Sequence, residues 1–275
     1  MPAVYVNGDL LPPERAEISV FDHGLVVGDG VFETILVWNG RPFALRRHLA
    51  RLERSAAGLR IPVPDRATLE RAVADVVGAA GLERARLRVT VTAGDGPLGS
   101  GRLDSPPTLV VACDELGEPH ESAAVAVVSW PRNERGALAG LKTTSYAENA
   151  LALAEAARRG ADEAIFANTA GQLCEGTGSN VFVVRNGALI TPPLSAGCLA
   201  GVTRALVLEH HAGAERDLPI AQFRPDAIEE AFLTSTLRGV QPITAIDGVR
   251  LPGPGPLTEK AIAAYGALLE TDGDL

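Results

Sequence analysis

The sequence predicts a fold of mixed α and β structure, with α/β or α+β layers in two domains. Strand-like segments and segments of helical periodicity follow one another along the chain, which suits neither a helical bundle nor a β-sandwich. A polar, turn-rich stretch interrupts them near the middle, and 275 residues suffice for one large or two modest cores. We expect an N-terminal domain over 1–113, a linker over 114–122 and a C-terminal domain over 123–275.

The N-terminal domain is predicted to combine four strands with two helices. The strands are expected at Val4–Asn7, Phe32–Trp38, Arg86–Thr92 and Thr108–Ala112. Leucine and alanine recur at helical spacing from Leu45 to Leu59, which predicts the first helix. Asp65 can cap a second helix that runs to about Ala80, because Gly81 suits the position just past a helix end.

The C-terminal domain is predicted to continue the mixed order. The expected strands are Ala123–Ser129, Glu163–Ala167, Val181–Val184, Ala188–Ile190, Ala231–Thr234 and Pro242–Ile246. The expected helices are Ala147–Arg159, Val202–His211 and Leu257–Leu269. Gly160 stops the first of these helices, since glycine favours helix ends.

Composition and charge exclude several classes of protein. The net charge of -9 argues against a nucleic-acid surface, and no apolar stretch approaches the roughly 20 residues of a membrane helix. The start of the chain does not resemble a secretory signal, and three scattered cysteines do not form a disulfide scaffold. We therefore expect a cytoplasmic protein with reduced thiols, a small-molecule substrate and no metal site.

One glycine-rich motif does not predict nucleotide binding. Residues Gly94–Gly99 match G-x-G-x-x-G after a strand, but a dinucleotide site needs a helix to begin there. Pro97 interrupts the motif, and a loop continues to Pro107. A loop of this kind can cover an active site, which is the alternative we keep open.

Lysine usage singles out Lys142. Of 25 basic residues only Lys142 and Lys260 are lysines, and the other 23 are arginines. A lysine can lose its proton and act as a nucleophile or base, whereas arginine stays protonated. Lys260 lies in an amphipathic helix pattern typical of a solvated side chain. Lys142 lies in a polar stretch just before a helix, which favours a chemical role.

Lys142 and several further residues together fit one cofactor, pyridoxal 5'-phosphate. Lys142 can form an imine with its aldehyde, and Glu175 can keep its pyridine nitrogen protonated, so that the ring accepts electrons. The segment Ser195–Thr203 leads into a helix start, where backbone N–H groups can hold a phosphate. Leu233–Thr236 offers hydroxyl groups after a strand, and Arg51 adds a helix cation.

Several motifs, in this order, resemble those of the class IV aminotransferase family, the fold-type IV pyridoxal phosphate enzymes. They span nearly the whole chain and are Asp22–Thr34, Arg47–Leu52, Lys142–Asn149, Gly160–Ala164, Cys174–Phe182, Gly201–Arg204 and Leu233–Thr236. The resemblance implies two α/β domains of the D-amino acid aminotransferase type, with the cofactor between them, and a homodimer.

The resemblance also assigns roles to individual residues. Lys142 becomes the Schiff-base lysine and Glu175 the partner of the pyridine nitrogen. The phosphate would be held by a set comprising Arg51, Val202, Thr203 and Thr236, with Ser235 beside it. Tyr146 joins the expected cofactor contacts. Thr34, one strand period from Phe32, is expected to face the substrate, because alternate strand residues share a face.

Departures from the family pattern bear on the reaction. The chain is short, its aromatic content is 4%, and the Tyr-x-Arg pattern of branched-chain aminotransferases is absent. Arg102 and His120 are poorly placed to trap a carboxylate as in D-amino acid aminotransferases. Among these members of the family, this short, aromatic-poor chain therefore most resembles 4-amino-4-deoxychorismate lyase. The alternatives are an aminotransferase acting on branched-chain or D-amino acids or on amines, and a cofactor-binding protein without catalysis.

Overall fold

The computed structural model describes residues 3–118, 120–211 and 213–271. Contacts divide them into two compact units. The first holds residues 3–118 together with Leu141–Tyr146, and the second holds residues 120–140 and Ala147–Thr271 without residue 212. Among the residues described, no helix combines the length and the apolar character required to cross a membrane.

The first unit is built on one antiparallel sheet of six strands in the order β2-β1-β6-β5-β3-β4. The strands are β1 (Ala3–Val6), β2 (Asp9–Leu11), β3 (Gly30–Trp38), β4 (Arg41–Pro42), β5 (Arg84–Thr92) and β6 (Thr108–Glu115). A hairpin turn follows β3, because Asn39 and Gly40 both adopt the positive φ that such a turn requires.

Three helices accompany this sheet: α1 (His23–Val26), α2 (Leu45–Leu59) and α3 (Arg66–Ala80). The Asp65 carboxylate caps α3 by accepting a hydrogen bond from the backbone N–H of Thr68 at 2.8 Å. Leu49 and Leu52 of α2 pack with Val31 and Ile35 of β3 in the buried core. One face of β3 therefore points to the core, and the alternate residues Phe32 and Thr34 point to the other face.

The second unit contains a sheet of nine strands in the order β12-β11-β10-β13-β14-β7-β8-β9, with β15 paired to β14. The strands are β7 (Ala123–Val127), β8 (Glu163–Ala167), β9 (Leu173–Gly176), β10 (Asn180–Arg185), β11 (Ala188–Thr191), β12 (Ala214–Glu215), β13 (Glu230–Ser235), β14 (Gly239–Ile246) and β15 (Val249–Arg250). β7 runs parallel to both β8 and β14. The sheet is therefore mixed.

The helices of the second unit are α4 (Ala147–Arg158), α5 (Val202–His210) and α6 (Pro256–Leu269). Ala152 and Ala156 of α4 pack with Phe166 of β8 in one buried cluster. A second cluster joins the other face of the strands, including Val181, Leu233 and Ile243. Hydrophobic burial on both faces explains why these strands are nearly continuous apolar runs.

The structure departs from the expected elements in a few places. The expected linker begins at residue 114, but Asp114 and Glu115 extend β6, and Asp114 lies opposite Arg86 of β5. The short elements β2, β4, β9, β12, β15 and α1 are additional to those expected. Each has only two to four residues, too few to show a hydrophobic period.

Candidate active site

The segment that carries Lys142 is held by backbone hydrogen bonds within the first unit. The carbonyl of Lys142 accepts a hydrogen bond from the N–H of Phe32 at 3.1 Å, and its own N–H donates to Ser55 Oγ at 3.1 Å. Two residues later, the N–H of Thr144 donates to the carbonyl of Gly30 at 2.8 Å. The segment thus continues the pairing of β3 and fixes the backbone from which the Lys142 side chain extends.

The Lys142 amine lies among aromatic rings. Its Nζ is 4.3 Å from the centre of the Phe32 ring and 5.8 Å from that of Tyr146. The two rings meet edge to face with centres 5.3 Å apart. Lys142 itself is half-buried, as is Thr34, which shares a face of β3 with Phe32. The Lys142 amine is thus held beside two aromatic rings, on a side chain that is only partly exposed.

Arg88 is a site residue that sequence reasoning missed. Its guanidinium carbon lies 3.7 Å from the centre of the Phe32 ring, and Arg88 is the register partner of Thr34. Although Arg88 is exposed as a residue, the groups packed around it partly bury its side chain and lower its pKa, and Tyr146 opposes that shift. An arginine stays charged under such a shift. The signal was present in β5, where Arg84, Arg86 and Arg88 alternate with apolar residues and so share one face.

Arg51 lies on the opposite, core-facing side of β3. Its Nε and Nη2 donate to the two oxygens of Glu33, each at 2.7 Å, and His48 Nδ1 lies 2.8 Å from Glu33 Oε2. Burial alone would raise the pKa of Glu33, but Arg51 and His48 outweigh it and bring the pKa to about 2. Glu33 is therefore ionised, and the expected phosphate cation is oriented by a buried carboxylate.

Glu175 occupies the central part of β9 in the second unit. Its Oε2 accepts a hydrogen bond from the backbone N–H of Leu199 at 2.8 Å. Its Oε1 lies 3.4 Å from Nε of Arg132. The side chain is 13% exposed, so the carboxylate is nearly buried, with one oxygen hydrogen-bonded and the other in an ion pair. This is a suitable partner for a protonated ring nitrogen.

The chain from Leu199 leads directly into α5. Asn180 Nδ2 donates to the Leu199 carbonyl at 2.9 Å, and a Cβ added at Gly201 would lie 2.0 Å from Asn180 Oδ1. Gly201 is the N-cap of α5, so no side chain at this position competes for the first N–H groups of the helix. Val202 and Thr203 follow and are buried. The start of α5 is therefore suited to an anion such as a phosphate.

The remaining expected phosphate ligands lie where β13 ends. Ser235 is its last residue, and Ser235 Oγ accepts a hydrogen bond from the N–H of Arg238 at 3.3 Å. Thr236 follows in the turn to β14 and is half-buried. β13 pairs with β10, which places Thr234 opposite Asn180. Ser235 and Thr236 therefore lie at the end of β13, next to the residue that pairs with Asn180 at the start of β10.

Arg102 and His120 are engaged elsewhere. Arg102 donates to both oxygens of Asp29, at 2.5 and 2.6 Å, and to the carbonyl of Leu59 at 2.7 Å. His120 is exposed, and its carbonyl accepts a hydrogen bond from Gln241. Residues 93–107 form a loop with no helix after Gly99, and Arg102 ties this loop to the C-terminal end of α2.

Each unit thus gathers part of the expected site. The first brings Lys142, Tyr146 and the Phe32–Thr34 strand together, with Arg51 on the other side of that strand. The second places Glu175, the N-terminus of α5 and the end of β13 on connected elements. Taken unit by unit, the Lys142 amine suits an aldehyde, the Glu175 carboxylate suits a ring nitrogen, and Arg51 and the start of α5 each suit a phosphate. The residues of each unit therefore fit part of pyridoxal 5'-phosphate.

Comparison with known proteins agrees with this chemistry. A family model described as amino-transferase class IV matches residues 30–246. A putative branched-chain-amino-acid aminotransferase of Methanocaldococcus jannaschii is 34% identical over 89% of this chain and 88% of its own length. Aminodeoxychorismate lyase of Bacillus subtilis is 31% identical over 90% of this chain and 87% of its own length. Most of the similar curated proteins carry the branched-chain aminotransferase name.

A solved structure supports the fold and the cofactor. A hypothetical aminotransferase from Mycobacterium tuberculosis in its PLP-bound form has a TM-score of 0.87 and 28% identity, covering 99% of this chain and all of that chain (100%). The expectation of a mixed α/β fold of the fold-type IV kind is confirmed. The cofactor expected from Lys142 and Glu175, pyridoxal 5'-phosphate, is confirmed as well.

Proposed function

Because the chain belongs to the class IV aminotransferase family, we propose that it is a lyase that cleaves 4-amino-4-deoxychorismate to 4-aminobenzoate and pyruvate. The substrate carries two carboxylates, one on the ring and one on the enolpyruvyl group. The enzyme must therefore recognise an anion of high charge density next to the amine that reacts. A branched-chain amino acid would instead need an apolar pocket for its side chain.

The observation that carries the proposal is the cationic face of β3 and β5. Arg88 and the Lys142 amine lie over the same Phe32 ring, at 3.7 and 4.3 Å. Arginine binds carboxylates through paired N–H groups, so this face favours a dianion over an aliphatic side chain.

The residues receive the following roles in this proposal. Lys142 holds the cofactor, and its amine then takes the proton from the amine-bearing ring carbon of the substrate. Glu175 faces the cofactor's ring nitrogen, while Arg51, Val202, Thr203, Ser235 and Thr236 hold its phosphate. Tyr146 contacts the cofactor beside Lys142, and Thr34 contacts the substrate. The bound cofactor supplies an aldehyde that captures the substrate amine and a ring that accepts an electron pair.

The overall reaction explains why a lyase needs no second substrate. One ring proton leaves, and the bond between the neighbouring ring carbon and the enolpyruvyl oxygen breaks. The enolpyruvate released takes up a proton and becomes pyruvate, and the six-membered ring becomes aromatic. The amino group stays on the product, so no 2-oxo acid is required to accept it.

An aminotransferase is the second candidate, and the names of similar proteins favour it. Most of them are branched-chain aminotransferases, including the one at 34% identity. Lys142 and Glu175 would serve that reaction equally well, because both reactions begin with proton removal from the amine-bearing carbon. The two candidates differ in the substrate that the cationic face accepts.

A product assay separates the two candidates. Purified protein with pyridoxal 5'-phosphate is incubated with 4-amino-4-deoxychorismate alone, and separately with amino acids or amines plus 2-oxoglutarate. The lyase proposal expects 4-aminobenzoate and pyruvate in equal amounts without any added 2-oxo acid. Glutamate formation in the second incubation, with no 4-aminobenzoate in the first, would establish the aminotransferase instead.

Assembly and location are part of the same proposal. We expect a cytoplasmic homodimer that binds neither nucleic acid nor membranes. Exposed apolar side chains on the segment around α1 support the dimer, since Val20 is 68% and Leu25 61% exposed. Light scattering of the purified enzyme at micromolar concentration should give twice the mass of one chain, and a monomer mass would refute the dimer.

A further inference from the structure

Arg132 is a charged side chain beside Glu175 that the proposed mechanism does not use. We infer that Arg132 is a positioning residue, which keeps the Glu175 carboxylate ionised and oriented toward the cofactor's ring nitrogen. The inference rests on the proposed role of Glu175. It adds a second residue to that role, one that acts through Glu175.

The Glu175 carboxylate has a hydrogen bond at one oxygen and an ion-pair contact at the other. The backbone N–H of Leu199 donates to Oε2 at 2.8 Å, which fixes one side of the group. Nε of Arg132 lies 3.4 Å from Oε1, an ion-pair distance without hydrogen-bond geometry, and this Nε is a buried donor without a hydrogen-bond partner among the described residues. A small rotation of the carboxylate would complete that bond.

Arg132 is itself held rigidly, which positioning requires. Its guanidinium carbon lies 4.2 Å from the centre of the Phe166 ring, the register partner of Glu175 in β8. Its Nη1 donates to Glu148 Oε2 at 2.5 Å and to Asn149 Oδ1 at 3.1 Å. Its backbone N–H donates to the Ala167 carbonyl at 2.7 Å. Stacking and hydrogen bonds therefore direct Nε toward Glu175.

Electrostatics give this contact a chemical consequence. The side chains of Arg132 and Glu175 are 15% and 13% exposed, so water screens their attraction only weakly. An adjacent guanidinium favours the ionised form of a carboxylate. An ionised Glu175 can accept the hydrogen bond of a protonated ring nitrogen, whereas a protonated Glu175 would leave that nitrogen without its counter-charge. Arg132 would thus influence the cofactor through Glu175 alone.

A double-mutant cycle on the holoenzyme tests the inference. Arg132→Gln is made in the parent and in a Glu175→Gln background, and the dissociation constant for pyridoxal 5'-phosphate is measured for all four proteins. We expect Arg132→Gln to weaken binding roughly tenfold in the parent and less than about twofold in the Glu175→Gln background. The ¹⁵N resonance of ring-labelled cofactor should move toward that of neutral pyridine in Arg132→Gln but not in Arg132→Lys, which keeps the charge.

Two controls separate positioning from structural support. Arg158→Gln removes another arginine with a carboxylate partner, since Arg158 pairs with Glu155 on α4 at 2.8 Å, and should leave binding and the resonance unchanged. A cofactor analogue with carbon in place of the ring nitrogen should bind the parent and Arg132→Gln equally well. The inference is overturned if Arg132→Gln raises the dissociation constant by the same factor in both backgrounds, or if it also weakens binding of the analogue. Arg132 would then have only a structural role.

The proposed role of Glu175 fails in a different way. In that case Glu175→Gln would leave the ¹⁵N resonance and cofactor binding of the parent unchanged. A clear effect of Glu175→Gln with an additive effect of Arg132→Gln would reject the inference alone. If the circular dichroism spectrum shows that Arg132→Gln is unfolded, Arg132→Lys replaces it in the double-mutant cycle. The coupling energy is then expected to be smaller, because lysine keeps the positive charge.

Discussion

On the core-facing side of β3, the Glu33 carboxylate accepts two hydrogen bonds from the guanidinium of Arg51, each 2.7 Å long. An arginine on an amphipathic helix is often exposed. Arg51 is instead a buried cation whose orientation is fixed by Glu33. The exposed fractions of the two side chains are 7% for Arg51 and 0% for Glu33. A buried pair of this kind couples the stability of the first unit to the orientation of an expected phosphate ligand.

Replacing Glu33 tests how much the buried pair stabilises the protein. Glu33→Gln should lower the free energy of unfolding by about 3–5 kcal/mol, because it leaves the Arg51 charge buried without its carboxylate. Urea denaturation measures the change. Glu53→Gln is the matched control, since Glu53 pairs with Arg66 at an exposed position, and it should cost less than about 1 kcal/mol. Equal costs for the two variants would contradict the importance of the buried pair.

The pH dependence of stability should report His48. Burial lowers the pKa of His48 below its ordinary value of 6.5, and Glu33 only partly offsets this. The unfolded chain therefore binds a proton at higher pH than the folded protein does. The stability contributed by neutral His48 is fully present above pH 6.5 and is lost as the pH falls below it.

His48→Gln should flatten this part of the stability profile. The expected reduction in slope is at most about 1.4 kcal/mol per pH unit just below pH 6.5, the value for one proton. Glu33 acts in a separate window, because its contribution is lost as the pH falls from its ordinary pKa of 4.5 toward its folded pKa of about 2. His210→Gln, at the exposed end of α5, is the control. An unchanged slope in His48→Gln would show that folding does not lower the pKa of His48.

Arg88 should control substrate recognition. Arg88→Gln is expected to raise the KM for 4-amino-4-deoxychorismate roughly tenfold or more, because a charged hydrogen bond to a carboxylate is lost. Steady-state kinetics measure it. Arg86→Gln changes the same residue type one strand period away, opposite Leu36 rather than Thr34, and should raise KM less than about threefold. Equal effects of both substitutions would show that Arg88 has no specific contact.

The start of α5 should be sensitive to an added methyl group. Gly201 has an ordinary φ of -66°, so Gly201→Ala acts through crowding rather than backbone strain. The new Cβ would lie 2.0 Å from Asn180 Oδ1 and would displace Asn180 or the helix start. Cofactor should then be lost faster on dialysis.

Gly266→Ala in α6 is the matched control. A Cβ added at Gly266 has no other heavy atom within 4 Å, so the substitution should stabilise the protein by up to about 1 kcal/mol. Cofactor retention should stay unchanged. If Gly201→Ala retains cofactor as the parent does, the start of α5 is not a phosphate site.

Sequence reasoning located the long elements and the residues of unusual type. α2 and α3 show enough turns for their period to be clear, and the Asp65 cap and Gly81 lie where the sequence placed them. Lys142 was found because lysine is rare in this chain. Glu175 was noticed as an acidic residue in a glycine-rich stretch.

What the sequence did not reveal depends on contacts between distant residues. Arg88 is one of 23 arginines, and only its pairing with Thr34 places it beside Phe32. The burial of Arg51 follows from Glu33, which lies 18 positions away on a strand. Arg132 meets Glu175 through the pairing of β8 and β9. Strand register and helix packing decide such contacts, and neither is encoded in a local pattern.

The most direct test of the account is the identity of the lysine that carries the cofactor. The chain has two lysines, so borohydride reduction of the holoenzyme followed by peptide mapping has two possible outcomes. We expect a pyridoxyl group on the peptide containing Lys142, and Lys142→Ala should abolish both labelling and turnover. Labelling at Lys260, or full turnover by Lys142→Ala, would contradict the account.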